Sequence, residues 1–109
     1  MKEDHKKYLP IGSIVLLKNA SKKIMVTGYF TVDPKNPQKV WEYCGYPFPE
    51  GVISMDILFM FDHSQIRELC HIGYEDDEEE KKYQKYLIDF NDKINNALRE
   101  LEKQETKSE

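Results

Sequence analysis

No glycine or proline occurs after Gly73, and this constrains the fold more than any motif in the chain. All five glycines and all five prolines of the 109 residues lie in the earlier part. The stretch from Glu75, EDDEEEKKYQKYLIDFNDKINNALRELEKQETKSE, therefore carries no helix breaker. Its larger side chains fall at Tyr83, Leu87, Phe90, Ile94, Leu98 and Leu101, at intervals of 4, 3, 4, 4 and 3. That spacing keeps to one face of a helix. The acidic run Asp76 to Glu80 stands at the helix start, where the macrodipole favours negative charge. The sequence predicts an amphipathic helix over 76–103 and a frayed tail over 104–109. From 76 to 101 such a helix would run about 39 Å, whereas a domain of this size is about 30 Å across, so part of the stripe should overhang.

Ahead of the helix, residues 1–8 read as a flexible N-terminus and 9–75 as a β-rich domain. Ser13–Lys18 and Lys22–Val32 are rich in β-branched and apolar residues and are joined by a short polar break, as in a hairpin. Gly28, in mid-strand, suggests a bulge. The segment Asp33 to Gln38 holds two prolines and reads as a turn. Lys39–Gly45 alternates with period two, placing Val40, Glu42 and Cys44 on one face and Trp41 and Tyr43 on the other. Ile57–Phe61 reads as a buried strand. Asp62 with Gln65 three positions on is a capping-box pattern. Glu68–Tyr74 reads as a last strand with Cys70, Ile72 and Tyr74 on a common face. The expected class is α+β: a small curved antiparallel sheet or open barrel of about five strands, then one long C-terminal helix.

Composition removes several functions. The net charge is −4, with sixteen basic and twenty acidic residues and no basic face, so nucleic acid is not an expected partner. No stretch approaches the length of a membrane span, and no signal peptide opens the chain, so a cytoplasmic protein is expected. Cys44, Cys70, His63 and His71 are the soft metal ligands, but no close pair such as C-x-x-C is present and no metal is expected. Both cysteines read as small buried residues on strand faces. Phosphate-cradling glycine motifs are absent, and Asp62-His63 reads as a cap beside a surface histidine. No catalytic residue, no cofactor and no enzymatic activity are expected.

Binding remains. The loop YPFPEG, 46–51, displays Tyr46 and Phe48, each followed by a proline, and rigid aromatics give contact area at low entropic cost. Phe90, Ile94, Leu98 and Leu101 on the overhanging stripe are the second candidate surface. The stripe could also pair with itself in a homodimer.

The segments LPIGSIVLLK (9–18), KKIMVTGY (22–29), YCGYPFPEG (43–51), FDHSQI (61–66) and IGYEDDEEE (72–80) resemble, in that order, a family of small proteins of unknown function. Its members are encoded beside LXG-type toxins in type VII secretion loci of Gram-positive bacteria. The resemblance implies a cytoplasmic accessory or chaperone-like partner of an LXG toxin, with no catalytic residues. An immunity protein that neutralises a cognate toxin is the first alternative. A small regulatory or nucleic-acid-binding β-domain is the second.

Overall fold

A computed structural model describes residues 8–75 and 77–107, with only the backbone beyond Leu101. The flexible stretch expected at the N-terminus lies, up to Lys7, outside the described residues, as do Asp76 and the last two residues. The described chain forms two compact units, one of residues 9–75 and one that joins Tyr8 to the residues beyond 76.

The first unit is one antiparallel five-stranded sheet: β1 (Ile14–Leu17), β2 (Ile24–Asp33), β3 (Asn36–Pro47), β4 (Phe59–Phe61) and β5 (Ile66–His71), ordered β4-β3-β2-β1-β5. Chain reach dictates its curvature. β4 and β5 occupy opposite edges, yet only Asp62 to Gln65 joins them, and His63–Gln65 is a 3-10 turn. Five extended residue steps reach at most about 18 Å, and a 3-10 turn shortens this. Four flat inter-strand spacings would need about 19 Å. The sheet therefore curls, and Lys18 N–H at the end of β1 donates to Gln65 O at 2.8 Å. The α+β class, the five strands and the long helix agree with the sequence reading.

Register builds the core. Directly opposed residues share a face, and the pairs Val15↔Ile24, Ile24↔Pro47, Val26↔Gly45 and Tyr43↔Phe61 place these side chains together. Val15, Ile24, Val26, Tyr43 and Phe61 are all buried, each stabilising the fold by about 1.5–3 kcal/mol. A bulge between Val26 and Gly28 inserts Thr27 and resets the alternation, so Tyr29 opposes Tyr43. The glycine expected to mark a bulge does so.

Four expectations are corrected. The β2–β3 turn is only Pro34-Lys35: Asn36 opposes Asp33 and Val40 opposes Val32, so Pro37, Gln38 and Lys39 have no opposite residue in β2. A proline enters the strand there because no ladder hydrogen bond is asked of it. β3 also runs on through Tyr46 and Pro47, opposite Met25 and Ile24, which the sequence reading placed in a loop. Cys70 is exposed rather than buried, because Leu69 opposes the buried Val15 and the bulge beside it turns Cys70 away. The fourth concerns Ile57 to Phe61, of which only Phe61 is buried, since β4 is a three-residue edge strand.

The second unit contains α1 (Glu78–Lys107), four residues longer than expected at its C-terminal end. Glu78, Glu79 and Glu80 fill its first turn, where unpaired N–H groups attract carboxylates. Leu87 and Gln84 are buried. Gln84 bonds the backbone of Tyr8 twice: Nε2 donates to Tyr8 O at 2.8 Å, and Oε1 accepts Tyr8 N–H at 2.7 Å.

Candidate protein-binding surface

The surface is carried by the connection between β3 and β4, and its two ends are fixed by different means. At the β4 end, Phe61 stacks on Tyr43 with ring centroids 5.5 Å apart. Next to it, the Asp62 carboxylate extends the β3–β4 pairing: Oδ1 accepts Glu42 N–H at 3.1 Å and Oδ2 accepts from Lys39 Nζ at 2.7 Å. His63 N–H donates to Glu42 Oε1 at 2.9 Å, and Asp62 N–H donates to Gln65 Oε1 at 2.8 Å. The last of these is the reach-back bond expected from the D-x-x-Q pattern. Tyr43 OH lies 2.8 Å from His63 Nδ1 and accepts Leu9 N–H at 3.1 Å. Buried Tyr43 thus ties three separate segments together.

At the β3 end, Phe48 N–H donates to Lys23 O at 2.8 Å and Gly51 N–H to Pro47 O at 2.7 Å. The Phe48–Pro49 peptide is cis, and Gly51 takes a φ of +77°, which glycine adopts without steric cost. Lys22 and Glu50 form an ion pair across this turn. The Lys22 hydrogen bond is the main cause that holds the Glu50 carboxyl below its ordinary value.

Between these anchors the chain exposes an apolar series: Phe48, Val52, Ile53, Met55, Ile57 and Phe59. Val52 and Ile53 keep 60% and 63% of their area in water and Met55 keeps 81%, so they are not core side chains. A turn explains why these residues do not form a strand. Ser54 O accepts Ile57 N–H at 3.0 Å and Ser54 Oγ accepts Asp56 N–H at 3.2 Å, a side-chain mimic of a backbone turn. Exposed apolar side chains gathered on one connection make it the candidate interaction surface.

Of the sequence-predicted candidates, Phe48 belongs to this exposed series and Tyr46 lies beside it, half-buried in β3. Val52, Ile53 and Met55 were not anticipated. The signal was present, because G-V-I-S-M-D-I interrupts its apolar residues with Ser54 and Asp56, a turn pair rather than a strand alternation. Of the four helix candidates, Phe90 and Ile94 are half-buried, while Leu98 and Leu101 are exposed. Tyr83 and Tyr86 also face solvent and stack at 5.5 Å, with Tyr86 and Phe90 at 5.9 Å. No helix among the described residues is long and apolar enough to cross a membrane.

Residues 8–82 match a family described as a domain of unknown function, DUF4176. The chain belongs to the DUF4176 family. The matched span holds the entire sheet, the β3–β4 connection and the first turn of α1, and it nearly coincides with the 9–80 stretch that carries the motifs quoted above. Most of α1 lies beyond the DUF4176 match. No curated protein and no solved structure matches the chain.

Proposed function

We propose that this DUF4176 protein is a non-enzymatic binding module. In this reading it is a cytoplasmic chaperone or targeting factor for an LXG-type toxin exported by type VII secretion. One observation supports the binding role above all: the apolar series from Phe48 to Phe59 is held in water by a connection anchored at both ends. Aliphatic side chains presented by a fixed scaffold bury area on a partner at low ordering cost. The motif resemblance over residues 9–80 supports an LXG toxin as that partner. The mechanism is stoichiometric: the loop covers an apolar segment of the toxin until export, and no cofactor, nucleic acid or membrane takes part.

Co-expression of the tagged chain with the LXG toxin of its own locus tests this. Wild-type protein should co-purify with the toxin and raise its soluble yield. Ile53→Ser combined with Met55→Ser should weaken binding at least tenfold, about 1.4 kcal/mol. Retention of toxin at wild-type stoichiometry by that double variant excludes the loop as the contact.

A second reading, immunity to the toxin, is favoured by the exposed Glu78 and Glu79 at the start of α1, which suit the basic substrate cleft of a nuclease. It requires contact with the toxin's catalytic domain and protection of a cell expressing that domain alone. The chaperone reading requires neither.

A further inference from the structure

The two edges of the sheet are built differently. β5 carries the devices that keep an edge strand from pairing with another chain. Arg67 and Cys70 have no opposite residue in β1, so each interrupts the ladder as a bulge. Arg67, Glu68 and His71 stand exposed along the same strand, and the Arg67 guanidinium reaches back to Ala20 O at 2.9 Å. At the other edge, Phe59, Met60 and Phe61 of β4 pair with β3 in unbroken register and bring no charge and no proline. An antiparallel edge strand turns the N–H and C=O of alternate residues away from its neighbour. Among the described residues, no backbone group meets those of β4 on that side.

We infer, resting on the binding role proposed above, that an extended segment of the partner protein adds to the sheet as a further strand beside β4. β4 is continuous with the candidate surface, since Phe59 belongs to both and is 39% exposed. Phe59 and Phe61 project to one face and Met60 to the other, so the edge is apolar on both faces. The segment that fits it is an unbroken apolar run, the composition of a strand covered on both sides, rather than an alternating one. The chain itself limits the pairing. Ile57 N–H donates to Ser54 O at 3.0 Å, and the N–H and O of Asp62 are both engaged by Gln65, so only residues 58–61 can take a neighbour. So short a ladder fixes where the segment lies and in which direction, while exposed Ile53 and Met55 add apolar contact beyond its end. A second copy is the poorer match. Its own β4 offers the same short stretch and then turns away, whereas a longer apolar run can pair with β4 and continue over Ile53 and Met55.

Amide hydrogen exchange of the full chain, alone and in complex with the LXG toxin of its own locus, tests the added strand. The outward amides among residues 59–61 should exchange quickly in the free chain and slow by about tenfold or more in the complex. Those on the outer side of β5 should keep their rates. Isotope-filtered spectra of the same complex should give backbone proton contacts between residues 59–61 and the toxin, as a neighbouring strand requires. Toxin that stays bound while these amides exchange as in the free chain overturns the added strand and leaves the binding surface standing. Protection without backbone contacts does the same, since side chains of the connection alone then cover the edge. A chain that takes up no toxin overturns both readings. Protection of residues 59–61 that grows with concentration in the chain alone assigns the edge to a second copy, which also overturns the proposal.

Discussion

The sulfur of Cys44 occupies the space that a side chain on Gly28 would need. A Cβ at position 28 would lie 2.8 Å from Cys44 Sγ, and the two residues oppose each other across β2 and β3. The small residue at the bulge and the buried thiol are therefore one packing decision, and neither position can be changed without regard to the other.

Gly28→Ala should destabilise the protein by about 1–3 kcal/mol, the usual cost of forcing extra volume into a packed site. The Gly28→Ala/Cys44→Ala double variant should be more stable than the sum of the single effects requires. Urea denaturation of the four proteins in the cycle measures the coupling.

Tyr43→Phe keeps the ring that stacks on Phe61 but deletes the hydroxyl that accepts Leu9 N–H and bonds His63. The loss should be about 1–3 kcal/mol, the cost of leaving a buried donor without its acceptor. Amide exchange at Leu9 should accelerate, and it can be read residue by residue in the same variant.

Gln84 offers Tyr8 both a donor and an acceptor, and its Nε2 also lies 2.8 Å from Glu80 Oε2. Gln84→Met should release Tyr8 and raise its amide exchange rate. Gln84→Glu should be worse than Gln84→Met at neutral pH, because a buried carboxylate then faces Glu80 and the Tyr8 carbonyl. Thermal unfolding of the pair gives the ranking.

Glu50 makes a small pH-dependent contribution of known sign. Its carboxyl is held below the ordinary value, chiefly by the Lys22 hydrogen bond. The folded state therefore favours the charged form. Its stabilisation is present above the ordinary glutamate range and is lost as pH falls through the lowered value. The stability difference between wild type and Glu50→Gln should vanish at acid pH and shrink in high salt, since both partners are exposed. Matched denaturation series at two salt concentrations check both trends.

Substitution within the apolar series should leave the fold alone. Val52→Ser and Ile53→Ser should each change stability by no more than about 0.5 kcal/mol, because these side chains touch little at home. A drop of several kcal/mol in either variant would show that the loop supports the sheet.

The residues that could be read in advance are those whose neighbours in space are also neighbours in sequence. The α1 stripe repeats over five turns, so its period stands out above local noise. Gly28 is legible because a glycine inside a β-branched run has few other uses, and Asp62 with Gln65 is legible because the reach-back bond spans three residues. Ile57 to Phe61 misled for a physical reason. An edge strand has the same composition as a central one, and only strand order, fixed by distant pairings, tells them apart. Cys70 failed similarly, since one bulge against β1 decides its face. The Tyr43–His63–Glu42 cluster and the Gln84–Tyr8 clamp join residues far apart in sequence, and polar residues used in this way leave no periodicity.

The connection from Phe48 to Leu58 leaves the sheet after Pro47 and returns at Phe59, which pairs with Gly45 only two positions earlier in β3. Its ends are therefore brought together by strand pairing, whatever lies between them. Doubling the length of such a loop costs only about 0.6 kcal/mol in closure entropy. Under the proposed binding role, recognition can thus diverge in this segment by insertion, deletion or wholesale exchange, while Tyr43, Phe61 and Val26 hold the same frame. Two proteins of this build could share a scaffold yet take unrelated partners, and a grafted loop should carry its partner preference with it.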